Sequence, residues 1–286
     1  MRKPTHFQKP ARNADKPAPR PAAAARPGAA AAAPAPRAAP APSPQTVSGT
    51  WLWGHHAVLA ALTNPDRKLL RILATTEILE ELGDRLTGAG IPPQTVGKDE
   101  LSKMLPPGAV HQGLALLTRP LPHKVLEDVI DDCDGDTGAV IVALDQVTDP
   151  HNIGAIMRSA AAFGARAILI PDRNAPEISG TLAKSASGAV EYVPLIRVVN
   201  LVRALEQLKK AGFWSVGLDG DAERTLAAQN VSGRLCLVLG SEGSGMRRLT
   251  REACDVMARL PTGGAIDSLN VSNAAAVALY ELRRGQ

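Results

Sequence analysis

From Ala139 onward the sequence alternates short apolar runs with helical patterns, and this alternation leaves few folds open to the chain. The runs "AVIVALD" (139–145), "AILIP" (167–171) and "LCLVLGSE" (235–242) are continuous and rich in branched side chains, which is typical of strands buried on both faces. The segment "NLVRALEQLKKAG" (200–212) has the spacing of an amphipathic helix. The alternation therefore predicts an α/β domain with a parallel sheet covered by helices.

The same pattern predicts the remaining elements of this region. Helices are expected at 153–165, 179–187 and 245–255, strands at 189–195 ("AVEYVPL"), 213–219 ("FWSVGLD") and 256–261, and a terminal helix at 270–284. Ligands of parallel sheets bind at the carboxyl ends of the strands, so the residues that follow each strand are the first candidates for a site.

A smaller α/β unit precedes this region. Its pattern places a helix at about 56–62, a strand at 70–74 and further short elements up to "GLALLTRP" (113–120). We therefore predict a small domain over 49–120, a linker over 121–137 and the main domain over 138–286.

Residues 1–48 have a different composition. This tail holds eleven of the 23 prolines, many alanines, and eight Lys or Arg against one acid. A segment of this kind buries too little apolar surface to offset its ordering entropy, so we predict that it is disordered. Its net charge of +7 contrasts with −3 for the remainder. Such a tail suits a polyanion such as RNA, and a purely solvating role is the alternative.

Several classes of protein are disfavoured by the composition. No apolar run is long enough to cross a bilayer, and no apolar core follows the basic start as in a secretory signal. Three cysteines without CxxC spacing favour a reducing, cytoplasmic location and disfavour a structural zinc (Cys133, Cys236, Cys254). The histidines have no partner at the spacing of a hydrolytic triad.

Polar residues are concentrated where the first strand of the main domain ends, in "LDQVTDPHNIGAIMRSAAAFG" (144–164). Asn152 is interpreted either as the N-cap of a helix that begins near Ile153 or as a site residue. Arg158 lies on that helix among small apolar residues. An arginine in this setting either extends to solvent or faces an anion.

A glycine-rich segment, "LVLGSEGSGM" (237–246), follows another buried strand. Gly240, Gly243 and Gly245 allow close approach of the backbone to a ligand, and a plain connector is the alternative. The spacing is neither GxGxxG nor that of a phosphate loop with Gly-Lys-Ser/Thr, which disfavours a dinucleotide or triphosphate site. Glu242 is interpreted either as a solvated carboxylate or as a site residue.

The third polar segment, "LPTGGAIDSLNVSNAAAVALYE" (260–281), leads into the terminal helix. Ser, Asp and Asn are preferred helix caps, but five of them within seven residues exceed what capping requires: Asp267, Ser268, Asn270, Ser272 and Asn273. A loop of amides and hydroxyls that holds a polar ligand is the functional interpretation.

Taken together, the three segments resemble the SpoU/TrmH family of RNA ribose 2′-O-methyltransferases. The resemblance is carried, in order, by N-x-G-x-x-x-R-x-A (152–160), L-G-x-E-x-x-G (239–245) and S-L-N-V-S (268–272). The start of the small domain, "WGHHAVLAAL", is similar to the family's RNA-binding domain, which points to the 23S ribosomal RNA guanosine-2′-O-methyltransferases. The transfer-RNA members of the family are the alternative.

The resemblance implies a fold and ligands that the composition does not. The sheet would carry a C-terminal trefoil knot, which is rare among proteins. S-adenosylmethionine would bind in the knot against Gly220, Gly240, Leu260 and Leu269. The resemblance also implies a homodimer in which the partner subunit helps to complete the site, 23S ribosomal RNA as substrate, and no membrane association.

The resemblance further implies which residues act. Arg158 is matched to the residue proposed to activate the ribose hydroxyl, with Asn152, Glu242, Ser268 and Asn270 holding the arginine and the ribose, and no metal is needed. A guanidinium is always protonated and has no acceptor, so it is better suited to binding a phosphate than to acting as a base. A non-catalytic RNA-binding protein and a nucleotide-dependent α/β enzyme are the alternatives from other classes.

Overall fold

The computed structural model describes residues 49–173, 175–264 and 268–284, so the predicted disorder of residues 1–48 and the position of Asp267 lie outside the described residues. The strands are β1 Thr50–Trp53, β2 Leu69–Ala74, β3 Gln94–Thr95, β4 Leu114–Thr118, β5 Val140–Asp145, β6 Ala167–Pro171, β7 Leu195–Val198, β8 Trp214–Leu218, β9 Leu235–Gly240 and β10 Val256–Ala258. The helices are α1 His55–Thr63, α2 Thr76–Thr87, α3 Lys98–Met104, α4 Leu126–Asp132, α5 Pro150–Ala162, α6 Gly180–Ser185, α7 Leu201–Lys210, α8 Arg248–Ala253 and α9 Val271–Arg283.

The main sheet is parallel, as predicted. Its six strands lie in the order β10-β8-β9-β5-β6-β7, and each neighbouring pair is parallel. The central strands β5 and β9 pair along their whole length, from Val140 with Leu235 to Asp145 with Gly240. Consequently the ends of these two strands, where two of the polar segments begin, lie side by side.

Alternate residues of the strands face opposite layers of helices. Val140, Val142 and Leu144 belong to the core cluster that contains the buried faces of α5 and α9. Ile141 and Ala143 belong to the cluster that contains α4 and α7. Both faces of β5 are therefore buried, which explains why its sequence is a continuous apolar run.

One predicted strand of the main domain is wrong. Within 189–195, Ala189–Glu191 form a turn of 3-10 helix, and the strand β7 begins only at Leu195. Val190 and Val193 are buried in the core cluster, and their spacing of three residues suits a helical turn. The apolar residues in this stretch are buried by packing, not by pairing in the sheet.

The small domain is a four-stranded sheet in the order β1-β4-β2-β3 with α1, α2 and α3 around it. The strand β1 was not among the predicted elements, since it is short and half-buried over Thr50 and Trp51. It pairs antiparallel with β4, and β2 pairs antiparallel with the other edge of β4.

The small domain packs directly on the main domain, through the segment from α6 to the 3-10 turn. A Cβ atom on Gly180 would lie 2.0 Å from the ring of Trp53 and 2.3 Å from the backbone oxygen of Trp51, so only glycine fits there. Arg67 and Glu191 form a two-point ion pair at 2.6 and 3.1 Å, with side chains 3% and 0% exposed. The apolar core is continuous between the two domains.

Candidate functional site

The helix α5 begins earlier than predicted, so Asn152 is not needed as its cap. The N-cap is Asp149, whose carboxylate accepts a hydrogen bond from the backbone of His151, and Pro150 occupies the first helical position. The interpretation of Asn152 as the cap of this helix is therefore wrong. Asn152 lies inside the first turn, and its carboxamide is available for contacts with other segments.

One carboxylate oxygen joins the three polar segments. Oε1 of Glu242 accepts hydrogen bonds from Nδ2 of Asn152 at 3.0 Å, Nδ2 of Asn270 at 2.6 Å and the backbone nitrogen of Val271 at 3.3 Å. Nδ2 of Asn270 also donates to Oδ1 of Asn152 at 3.0 Å. These residues are far apart in the sequence and form one hydrogen-bonded network at the surface.

Asn270 combines this contact with a capping role. It is the N-cap of α9, and its Oδ1 accepts from the backbone nitrogen and the hydroxyl of Ser272 at 2.9 and 2.6 Å. The start of α9 therefore fixes the carboxamide, and the amide donors point to Glu242. Ser268 and Leu269 directly precede this cap and are exposed.

Arg158 is not part of this network. It lies on α5, six residues after Asn152, and is exposed. Within the described part of the chain its guanidinium makes no ion pair or hydrogen bond to a protein group. An exposed cation without a partner on its own chain is free to bind an anion that arrives from outside.

The glycine-rich segment closes on itself. The backbone of Ser241 exchanges hydrogen bonds with that of Gly245 at 3.1 and 3.0 Å, and Gly243 and Gly245 have φ values of 81° and 65°. A Cβ atom on Gly240 would lie 2.2 Å from the backbone carbon of Gly245. Glycine is therefore required at Gly240 by its own turn, and this turn presents Glu242 to the network.

A buried aspartate, which the sequence analysis did not assign, holds the end of this segment. Asp145 ends β5 and is 0% exposed. Its carboxylate accepts hydrogen bonds from the backbone nitrogen of Arg247 at 2.8 Å and from Nε of Arg247 at 2.7 Å. The signal that could have identified it is a single charge at the end of an otherwise apolar strand. Asp145 therefore fixes the backbone at Arg247, directly after the glycine-rich segment.

The residues predicted to hold the cofactor lie at the ends of adjacent strands. Gly220 follows β8, Gly240 ends β9 and Leu260 follows β10, and these three strands are neighbours in the sheet. A Cβ atom on Gly220 would meet no atom within 4 Å. Within the described residues, the backbone of Leu260 makes no hydrogen bond. Leu269 is 43% exposed.

Two features of the described residues bear on other kinds of site. No three His, Cys, Asp or Glu side chains among them are grouped so as to hold a metal ion. Nor is any helix in the described ranges long and apolar enough to span a membrane.

Comparison with known proteins identifies the family. Residues 139–280 match the SpoU rRNA Methylase family, and residues 51–124 match the domain described as RNA 2′-O ribose methyltransferase substrate binding. The 23S rRNA (guanosine-2′-O-)-methyltransferase RlmB of Escherichia coli is 38% identical, over 82% of this chain and 97% of its own. This chain belongs to the SpoU methyltransferase family. The predicted class of enzyme, an RNA ribose 2′-O-methyltransferase, is thereby confirmed.

Other relatives agree with this assignment. The RlmB of Xylella fastidiosa is 39% identical over 82% of this chain and 96% of its own. An uncharacterized tRNA/rRNA methyltransferase of Synechocystis is 40% identical over 82% of this chain, which spans 62% of that relative's length.

A solved structure shares the fold. The SpoU methyltransferase AviRb from Streptomyces viridochromogenes, in complex with the cofactor AdoMet, has a TM-score of 0.69 and 23% sequence identity, over 82% of this chain and 89% of its own. The predicted α/β architecture with a parallel sheet is thus found in a SpoU methyltransferase of known structure.

Proposed function

We propose that the protein transfers a methyl group from S-adenosylmethionine to the ribose 2′-oxygen of a guanosine in 23S ribosomal RNA. The observation that carries the proposal is the network of Asn152, Glu242 and Asn270, which unites the three family motifs at the carboxyl edge of the parallel sheet. The names of the RlmB relatives support the choice of RNA and nucleoside.

S-adenosylmethionine supplies an activated methyl group when it is bound, so the protein has to bind and orient the two reactants. Gly220, Gly240, Leu260 and Leu269 would hold it, chiefly through the backbone. The residues fit such a ligand, because three parallel strand ends converge there and the backbone of Leu260 is unused within the described residues.

Arg158 would bind a phosphate next to the target ribose. Its guanidinium carries a permanent charge and five donors, so it can lower the pKa of the nearby hydroxyl by charge but cannot accept the proton. A phosphate oxygen or water takes the proton. Asn152, Glu242, Ser268 and Asn270 would orient the ribose, as the resemblance implies.

The active protein would be a homodimer in which the partner subunit completes the site. Val277 and Tyr280, on one side of α9, are 46% and 57% exposed, and α9 packs against α5, which carries Arg158. An exposed apolar side on a helix next to the site suits a subunit contact. We also propose that the C-terminal segment forms a trefoil knot and that the protein is located in the cytoplasm.

The domain organisation is part of the same proposal. Residues 49–120 would bind RNA, 121–137 would connect, and 138–286 would carry out methyl transfer. The match to the substrate-binding family over 51–124 supports the role of the small domain. No RNA contact is proposed for residues 1–48.

The test is methyl transfer from labelled S-adenosylmethionine to ribosomal RNA by the full-length protein. Arg158→Ala and Asn270→Ala should each lower the rate by about 100-fold, the loss typical of a positioning group. Wild-type rates for both variants would refute the assignment of the site. Cofactor binding by calorimetry tests the alternative of a non-catalytic RNA-binding protein, which would not bind S-adenosylmethionine.

The nucleotide itself can be identified by mapping. Ribose 2′-O-methylation is compared across ribosomal and transfer RNA from cells with and without the gene. We expect the loss of one methylated guanosine in 23S ribosomal RNA. Loss of a methyl group from transfer RNA alone would favour the tRNA members of the family instead.

A further inference from the structure

A separate cleft of about 990 Å³ lies at the carboxyl ends of β5, β6 and β7, between these strands and the helices α7 and α8. Its walls include Gln146, Arg173, Val199, Leu249 and Thr250, and none of the three network residues lines it. Clefts of this size hold ligands as large as a nucleotide. Its position at the carboxyl edge of the parallel sheet is where such sheets bind ligands.

The cleft offers a binding place for an anion. Arg173 is exposed and, among the described residues, has no acidic or hydrogen-bonding partner. In contrast, Arg247 is paired with Asp145 and Arg248 with Glu252. The N-terminal turn of the ten-residue helix α7 also borders the cleft, and its backbone N–H groups carry positive partial charge. A phosphate would be attracted by both.

The remaining walls suit a nucleobase. Val199 is 96% exposed and Leu249 is 57% exposed, although both are apolar and both line the cleft. Gln146 directly follows Asp145 and has a φ of 63°, an uncommon conformation for a residue other than glycine. Its carboxamide has both a donor and an acceptor, the combination that pairs with base edges.

We propose that this cleft binds one nucleotide of the RNA substrate, close in sequence to the methylated nucleotide. Its phosphate lies at Arg173 and the start of α7, and its base packs between Val199 and Leu249. The inference rests on the proposed function, since it assigns part of the same substrate. Arg247 borders the cleft and donates a hydrogen bond to Asp145. Asp145 therefore holds both the wall of the cleft and the end of the glycine-rich segment in place.

One variant and a matched control test the cleft in the full-length protein. Arg173→Ala should weaken binding of a 23S ribosomal RNA fragment by about tenfold, the equivalent of one charge-assisted contact. The matched control is Arg203→Ala on α7, an exposed arginine outside the cleft, which should bind RNA within about twofold of wild type.

Photo-crosslinking of RNA that contains 4-thiouridine locates the contact directly. Crosslinked peptides from 170–173, 199–202 or 247–253 are expected. Equal RNA binding by Arg173→Ala and Arg203→Ala, together with no crosslink in these segments, would overturn the proposal. Displacement of the RNA from these segments by free guanosine monophosphate at micromolar concentration would also overturn it, in favour of a mononucleotide site. Absence of methyl transfer by the wild type would defeat only the proposed function, since binding and crosslinking do not depend on turnover.

Discussion

Nδ2 of Asn270 lies 2.6 Å from Oε1 of Glu242, although the two residues belong to different loops and are separated by 28 positions. The asparagine is held by its capping bond to Ser272, and the glutamate is presented by a turn that only glycines allow. Both groups are thus fixed by local backbone structure before any substrate binds. This is the preorganisation expected of a site that orients reactants.

Glu242→Gln tests whether the charge of this carboxylate matters. Its Oε1 accepts three N–H donors, and a neutral amide oxygen accepts hydrogen bonds about half as strongly. We expect the rate of methyl transfer to ribosomal RNA to fall by about 10- to 100-fold, because the positioned amides shift. The matched control is Glu127→Gln on α4, an exposed carboxylate far from the network in sequence. Equal rates for the two variants would show that the negative charge of Glu242 is not needed.

Gly154→Ala tests the close contact between α5 and α6. The added Cβ would lie 2.6 Å from Cβ of Ser185 and 2.8 Å from the backbone oxygen of Leu182, so the helices must move apart. We expect the free energy of unfolding, measured with urea, to fall by about 1–3 kcal/mol. Gly83→Ala on α2, where a Cβ meets nothing within 4 Å, is the control. It should raise stability by up to about 1 kcal/mol, since alanine favours helix.

Glu191→Ala tests the ion pair between the domains. It leaves the guanidinium of Arg67 buried without its carboxylate partner, which typically costs about 3–5 kcal/mol. The double variant with Arg67→Ala should lose less than the two single changes added together. Asp132→Ala removes an exposed ion pair with Lys124 and should change stability by less than about 1 kcal/mol. Similar losses for Glu191→Ala and Asp132→Ala would contradict a structural role of the buried pair.

The thiols are predicted to react slowly in the folded protein. Burial raises the pKa of Cys254 to about 12 and also raises the pKa values of Cys133 and Cys236. Because the thiolate is the reactive form, very little of it is present at pH 8. A disulfide reagent such as DTNB should therefore label none of the three within minutes at pH 8, and all three after unfolding in guanidinium. Fast labelling of the native protein would contradict this burial.

The sequence was sufficient to predict the central strands of the sheet, because continuous apolar runs such as β5 have no other favourable location than a buried strand. It was misleading at Ala189–Glu191, where apolar residues spaced for a turn are also compatible with a strand. It could not show β1, whose two half-buried positions weaken the pattern. Short segments are decided by tertiary packing, which a local pattern does not contain.

The sequence pointed to candidate site residues, but it could not show which of them contact one another. Asn152 was one candidate for the cap of α5, whereas Asp149 is the cap, because proline at the next position favours an earlier helix start. That Glu242 links Asn152 and Asn270 depends on strand order, which places β5 beside β9. Arg158 stays a prediction as a phosphate-binding residue, since the described chain gives it no partner.

The continuous core between the domains has a consequence for synthesis of the chain. Arg67 and Glu191 are 124 residues apart, and at about 5–20 residues per second the ribosome needs roughly 6–25 s to make the intervening chain. During that interval Gly180, which contacts the two tryptophans of β1, and Glu191, which pairs with Arg67, have not yet been translated. The nascent small domain therefore emerges with one apolar side uncovered, and translation has to pass Glu191 before that side can be closed.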